Sequence, residues 1–427
     1  MEFSVRFHDQ PCGVLHIDKE RMSFSYLPAY SSTNGSLPAG GPPISVSMPT
    51  SQQTWPDAIV FPFFENLLPE GSIRQMLASR LGTSENNFSR LLESTGGDVA
   101  GAISIHPPGQ TQTPYQPELP PALSDNELGQ VLEQIKTQPF LANNTQGMRL
   151  SLAGAQNKLP VVIDKDGRLH LPGHFVSTHI VKPPSDRFPA LVENEYLCMR
   201  AAARAGLITP KVGLRNFIAA DGQHHDCYVV QRYDRSTLGS ATSRLHQEDV
   251  CQITSTVSAQ KYAQDGGPDF RELFQVIRQH TRPSAVHQQE LIRRMLFNLM
   301  VGNQDAHAKN FSLLHTSDGP TLAPAYDLVS TLIYEELQQR LAMPIGHAWT
   351  IDDLDSAALH DFQLATGVNL RRQGKVVQRF VTSALNAIEL EAAAVKQECW
   401  PHSHTVLQQI VALSQRHAHK LQQWLAR

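Results

Sequence analysis

Two residues in the C-terminal half have types and a spacing that could do chemistry. They are Asp305 and Asn310, in "LMVGNQDAHAKNFSLL" (299–314), where an apolar run stops at a Gly-Asn-Gln turn. Asp-x4-Asn is the spacing found in enzymes that transfer the γ-phosphoryl group of ATP. The aspartate there orients or accepts the proton of the attacking hydroxyl, and the asparagine holds magnesium. Taken alone the spacing decides little, because both residue types are ordinary in loops and caps.

The chemistry needs further groups in a fixed order, and the chain supplies candidates for each. "LAPAYDLVS" places a second carboxylate, Asp327, after a short apolar segment; magnesium takes one or two carboxylates and bridges phosphates. "STHIVKPP" places Lys182 on an apolar strand, where a buried ammonium needs a partner. Phosphate oxygens would serve, and so would Glu193 or Glu195 on the following helix, with Glu195 preferred. "RLSLAGAQNKLPVVI" is a loop of small residues (Ser151, Ala153, Gly154, Ala155) whose backbone N–H groups could approach phosphates. It is not a Walker A loop, since no G-x4-GK[ST] occurs. "YVVQRYDR" lies where strands give way to helices, so Gln231, Arg232 and Tyr233 are placed to form an adenine-contacting hinge. Each piece has an ordinary alternative: a turn, a helix cap, a lysine reaching water, a plain interlobe connection. The ordered set points to phosphoryl transfer, which needs a cation from one side of a cleft and magnesium ligands from the other.

The elements that must position these groups follow from periodicity and breakers. Residues 1 to about 60 read as strands ("FSVRFHD", "GVLHI", "MSFSYL", "ISVSMP") separated by turn residues. "FFENLLPEGSIRQMLASRLG" reads as one amphipathic helix closed by Gly82, and "FSRLLESTGGDVAGAISI" as helix, glycine turn and strand. Residues 106–123 are rich in Pro and Gln and form a candidate linker. Two hairpins follow, turning at Lys165-Asp166-Gly167 and at Asp221-Gly222, with the helix "LVENEYLCMRAAARAGLITP" between them. From about 245 onward the apolar spacing is mostly helical. The fold class expected is α+β: a two-lobed, protein-kinase-like fold with a β-rich N-lobe (124–235) and an all-helical C-lobe (236–427), preceded by a small α+β domain (1–105).

Bulk properties agree. A chain of 427 residues with 41% hydrophobic residues can bury several cores, and a net charge of −4 argues against a protein that coats nucleic acid by itself. Five cysteines without a CxxC point to a reducing, cytoplasmic compartment. No run of eighteen apolar residues occurs, so no membrane span is expected.

"LSLAGAQNK", "STHIVKPP", "VENEYLC", "RLHQEDVCQ", "KYAQDGGP", "GNQDAHAKNFS" and "LAPAYDLVS" together resemble the HipA family, serine/threonine kinase toxins of bacterial type II toxin–antitoxin modules; "FFENLLPEG" and "LLESTGGDVAGAISI" resemble the family's small N-terminal domain. The resemblance implies ATP and Mg2+ as cofactors and the following roles. Asp305 is the catalytic base, Asn310 and Asp327 hold the metal, and Lys182 contacts the phosphates. The loop Ala153, Gly154, Ala155, Gln156, Asn157 and Lys158 covers the phosphates, and Gln231, Arg232 and Tyr233 contact adenine. His307, Ala308, Lys309 and Asn310, with Tyr326 beside Asp327, line the nucleotide site. Ser151 matches the serine these kinases autophosphorylate to switch themselves off; a phosphoserine adds nearly two negative charges beside a phosphate site. The implied partners are a small helix-turn-helix antitoxin (HipB-like) and a protein substrate among the aminoacyl-tRNA synthetases, such as the glutamyl enzyme. Operator DNA is reached mainly through the antitoxin, because the stretch "GHAWTIDDLDSAALHDF" is acidic.

Two other functions compete: a kinase for a small-molecule hydroxyl, and a non-catalytic co-repressor partner. The full set Lys182, Asp305, Asn310 and Asp327 argues against a scaffold. The histidine pairs at 402/404 and 417/419 have no matching Cys or acidic ligand and are expected to be solvated. The four tryptophans are scattered and read as packing, and the absence of G-x-S-x-G and HExxH removes the common hydrolase classes.

Overall fold

A computed structural model describes the chain except residues 20, 32–40, 110–117, 139–155, 174, 239–240 and 427. The N-terminal domain is a five-stranded antiparallel sheet in the order Thr54–Trp55, Arg21–Tyr26, Gln10–Asp18, Glu2–Phe7, Ile103–His106. Its strands alternate buried and half-buried residues along Phe3, Val5 and Phe7 and along Met22, Phe24 and Tyr26, the period-two pattern of a sheet with one core face. Helices Asp57–Glu65, Gly71–Arg80 and Phe88–Thr95 accompany the sheet; Phe63, Phe64, Leu77 and Leu92 bury their side chains in its core, each worth about 1.5–3 kcal/mol.

Two expectations fail here for local reasons. The segment expected as one helix breaks at Asn66–Glu70, where Pro69 lacks the N–H the helix would need and Gly71 takes φ +52°. "ISVSMP" is a turn: Ser45 donates to Glu248 of the large lobe at 2.5 Å, so its alternating apolar residues plug a junction and pair with no strand.

The next unit is a five-stranded sheet in the order Leu169–His170, Leu159–Ile163, His179–Lys182, His224–Gln231, Val212–Ile218, with both expected hairpins in place. Helix Asp125–Thr137, started by a Ser124/Glu127 capping box, lies on it so closely that a Cβ on Gly129 would sit 1.8 Å from the Ile218 carbonyl oxygen. Helix Leu191–Arg204 buries ten of its residues and ties the sheet to the large lobe, where Glu391 lies 2.6 Å from Arg200 Nε and accepts from Arg204.

The large lobe is built on helices Phe270–His280, Ser284–Val301, Ser356–Thr366, Gly374–Glu398 and His404–Ala426. It is not wholly helical, which corrects the expectation: His246–Asp249, Ser312–Thr316 and Gly319–Leu322 form a three-stranded antiparallel sheet. These strands are four or five residues long and the first pairs with one more than sixty positions away, so local periodicity could not show them. Gly302, at φ +67°, ends helix Ser284–Val301; a Cβ there would lie 2.7 Å from Leu413 and 2.9 Å from Leu332. The chain drops from this cap into the Asp305 loop. Among the described residues no helix is long and apolar enough to cross a membrane, and all five cysteines are buried free thiols.

Candidate active site

A cleft with about 160 Å³ of free volume lies between the sheet of the small lobe and the large lobe, lined by residues of both. Lys182, at the end of strand His179–Lys182, reaches into it. Its Nζ donates to Glu195 at 2.7 and 3.0 Å and to Asp327 at 2.5 Å, and lies 5.7 Å from the Tyr228 ring centre. Of the two candidate glutamates, Glu195 meets the lysine; Glu193, one residue pair away on the helix, faces His402 at 3.5 Å. Burial opposes the charge on Lys182, but Asp327 and Glu195 outweigh it and keep the ammonium protonated. Two carboxylates therefore share one cation. Burial pushes Glu195 upward against Lys182. Asp327, whose side chain is 42% exposed to the cleft, is lowered to about 2 because Lys182 and Lys158 overcome its burial. Asp327 also sits at φ +52°, an unusual conformation for a non-glycine residue, which concentrates backbone strain at the site.

Lys158 lines the same cleft. Burial lowers it to about 8, with Asp327 pulling the other way and Lys182 adding to the fall. Gln156 and Asn157 are half-buried beside it. Ser151, Ala153, Gly154 and Ala155 lie outside the described residues.

Asp305 is 49% exposed and held at one oxygen: Tyr262 donates its hydroxyl to Oδ1 at 2.5 Å. Its backbone N–H donates to Asn303 Oδ1 at 3.1 Å. His307 stands with Nε2 4.0 Å from the same carboxylate oxygen, and burial lowers its ring to about 4, so it is neutral at pH 7. Ala308–Asn310 is a short 3-10 turn that presents Asn310 to the cleft. Lys309 lines the cleft and is tied to the N-terminal domain, donating to Asn66 O at 3.1 Å and lying 2.6 Å from Glu70. Tyr326 stacks on Tyr233 at 5.4 Å and donates to Lys309 O at 2.6 Å.

At the hinge, Gln231 and Tyr233 line the cleft, and Tyr233 donates to Gln247. The Arg232 guanidinium is committed elsewhere. It is buried against Asp234 (2.8 and 3.0 Å), Ser177 (2.9 Å) and the Val99 carbonyl (3.1 Å). Sequence reasoning missed Glu70, Lys261 and Tyr262 as neighbours of the base; the one available signal was that "KYAQDGGP" and "FFENLLPEG" both stood out as motifs without a role. Of the histidine pairs, His417 bonds the Leu299 carbonyl at 2.7 Å and His404 the Lys396 carbonyl at 3.1 Å. The acidic stretch after Met343 is followed by exposed Arg371, Arg372, Lys375 and Arg379.

A strand lysine paired to a helix glutamate, facing an Asp-x4-Asn loop and a second aspartate across an interlobe cleft, defines a protein-kinase-like fold carrying an additional N-terminal domain. Comparison with known proteins gives the family. Residues 3–106 match the HipA N-terminal domain and residues 150–389 the HipA-like C-terminal domain. The chain is 38% identical over 372 residues to a Sinorhizobium fredii protein named "Putative kinase Y4mE", covering 86% of each. It is 32% identical over 318 residues to the serine/threonine-protein kinase toxin HipA of Shewanella oneidensis, covering 71% of this chain and 69% of that one. The fold matches the solved complex of Shewanella oneidensis MR-1 HipA with HipB and operator DNA, with a TM-score of 0.74 at 24% identity over 99% of this chain and 96% of that one. The chain belongs to the HipA family of kinase toxins.

Proposed function

We propose that this protein is an ATP- and magnesium-dependent serine/threonine protein kinase that works in the cytoplasm as the toxin of a toxin–antitoxin pair. The observation that carries this reading is the buried Lys182 ammonium held between Glu195 and Asp327 on the wall of the cleft. An ammonium kept charged there, facing a carboxylate that is ionised and open to the cleft, suits a triphosphate and its metal.

Asp327 and the Asn310 carboxamide are hard oxygen donors of the kind magnesium takes, and Asp327 is ionised well below neutral pH. They would hold the ion, which when bound supplies charge neutralisation at the phosphates. Lys182 and Lys158 offer cations to the phosphate oxygens, the second from the end of the Ala153–Lys158 loop. Gln231 and Tyr233 line the adenine end. Asp305 accepts the proton of the substrate serine or threonine hydroxyl. Tyr262 occupies Oδ1, which leaves Oδ2 for that hydroxyl, and the neutral His307 ring does not compete for its charge.

Autophosphorylation at Ser151 switches the enzyme off by placing negative charge beside the phosphate loop. The substrate is a translation component of the aminoacyl-tRNA synthetase class, such as the glutamyl enzyme. The partner is a small helix-turn-helix antitoxin, in keeping with the HipB in the related complex, and operator DNA is reached mainly through it. Exposed Lys375 and Arg379, one helical turn apart, offer cations to DNA phosphates.

The test is incubation of the purified full chain with labelled ATP and magnesium, alone, with cell lysate and with a metabolite panel. Label on Ser151 and on a lysate protein is expected. Label confined to small molecules would replace this reading with a metabolite kinase, and no turnover would leave the co-repressor role.

A further inference from the structure

The N-terminal domain reaches the catalytic loop through one buried side chain. Glu70 sits in the break between helices Asp57–Glu65 and Gly71–Arg80 and is 7% exposed. Its Oε2 accepts from Lys261 Nζ at 2.7 Å, and its Oε1 lies 2.6 Å from Lys309 Nζ. These two lysines adjoin residues of the candidate site. Lys261 precedes Tyr262, whose hydroxyl holds Asp305, and Lys309 precedes Asn310, the proposed metal ligand. The Lys261 carbonyl also accepts from the Ala308 N–H at 3.3 Å, so the two segments touch directly. Burial opposes ionisation of Glu70, but Lys309 and Lys261 hold its carboxyl well below the usual carboxylate range.

The rest of the break is fastened to the same stretch of the large lobe. Glu65 accepts from the Ser258 N–H at 2.9 Å and its hydroxyl at 2.6 Å, Asn66 donates to the Thr256 carbonyl at 2.8 Å, and Gln252 donates to the Phe63 carbonyl at 3.0 Å. The Lys309 ammonium contacts this break twice, at Glu70 and at the Asn66 carbonyl.

We propose that Glu70 is a positioning residue for phosphoryl transfer: by bridging Lys261 and Lys309 it fixes the Tyr262–Asp305 pair and Asn310 relative to one another, which makes the N-terminal domain part of the catalytic apparatus. This rests on the kinase reading for its catalytic consequence, though the ordering of the loop does not. A carboxylate hydrogen-bonded to one ammonium group and ion-paired with a second in a buried site resists displacement. Loss of it frees both lysines and lets the base loop drift. A misplacement on the order of 1 Å is enough to slow a reaction by about 100-fold.

The experiment compares the full-length wild type with Glu70→Ala, Glu70→Gln and Ser45→Ala. The last removes the hydrogen bond from the N-terminal domain to Glu248, a docking contact outside the site. Phosphate transfer is measured over a range of ATP concentrations, and backbone hydrogen exchange over the 303–310 segment. For Glu70→Ala the expected result is kcat lower by about 100-fold with the KM for ATP little changed, and faster exchange confined to 303–310 and 259–263. Glu70→Gln, which keeps the shape and loses the charge, shows the same pattern in milder form and carries the test if the alanine variant does not fold. Ser45→Ala keeps wild-type kcat and wild-type exchange at 303–310. Unchanged exchange at 303–310 in folded Glu70→Gln and Glu70→Ala would overturn the proposal, as would an equal loss of kcat in Ser45→Ala. If the wild type itself transfers no phosphate, the kinase reading fails, while the exchange data still decide whether Glu70 orders the loop.

Discussion

Two buried charge clusters lie within the same molecule, and they end differently. At the hinge, Asp98 of the N-terminal domain meets Arg235 at 2.7 Å, Arg244 at 3.3 Å and Arg232 at 3.6 Å, while Asp234 accepts from Arg232 and Arg235 at 2.8 Å each. Every one of these carboxylates is at most 6% exposed and ringed by guanidinium groups. In the cleft, Lys182 is also buried and pairs with the buried Glu195, but its second carboxylate, Asp327, is 42% exposed, and Asp305, beside the cleft-lining His307, is 49% exposed. The hinge cluster is closed and complete, which is what a joint needs. The cleft cluster leaves acceptors pointing at a space, which is what a ligand needs. The same residue types thus serve structure where their valences are filled by protein and function where they are not.

The largest effect that could break this contrast is on activity. Asp327→Asn removes the metal-holding charge and should lower phosphate transfer by at least about 1,000-fold. Asparagine tolerates the φ of +52°, so the melting temperature should stay near that of the wild type; a matching collapse of Tm would mean the cleft cluster is structural after all. Asp98→Asn should do the reverse. It removes a buried charge shared by three guanidinium groups, two of which keep Asp234, and should cost about 3–5 kcal/mol in denaturant unfolding, with the KM for ATP nearly unchanged. The arginines and Ser177 hold Asp98 well below the usual carboxylate range against its burial. Its contribution is therefore present above the unfolded value, near 4, and is lost as pH falls below it. Asp98→Asn should flatten that acid limb of the stability curve.

A pH measurement sharpens the contrast from the cleft side. Lys158 titrates at about 8 in the fold against 10.5 unfolded. Its buried ammonium costs stability below pH 8, and that cost fades as pH rises. Phosphates favour the charged form, so ATP binding should take up a proton between about pH 8 and 10, measured by calorimetry in buffers of different ionisation enthalpy. Lys158→Met should abolish the uptake. The smallest effect belongs to the surface. Lys375→Ala with Arg379→Ala should reduce the salt slope of operator binding by the antitoxin complex by about 2 and leave kinase activity alone.

The sequence made the cleft set legible because each residue sits in a short local motif whose order carries meaning: Lys182 on a strand, Glu195 on the next helix, Asp305 and Asn310 in one loop. Helix Leu191–Arg204 and both hairpins were visible for the same reason, through local periodicity and turn residues. What stayed hidden was non-local. The Arg232 side chain serves a partner in the N-terminal domain more than a hundred residues away, and Ser45 is fixed by Glu248 across the domain junction. Glu70 lies in a helix break marked by Pro69 and Gly71, through which the apolar spacing continues. The short strand His246–Asp249 needed a partner no local window contains.

The central claim is that the open cluster is a phosphotransfer site with Asp305 as its base. The most direct measurement is transfer from labelled ATP by Asp305→Asn beside the wild type, with nucleotide affinity measured on the same samples. The account predicts ATP bound at close to wild-type affinity and transfer reduced by about 10²–10⁴-fold. Transfer at the wild-type rate by the variant would contradict it.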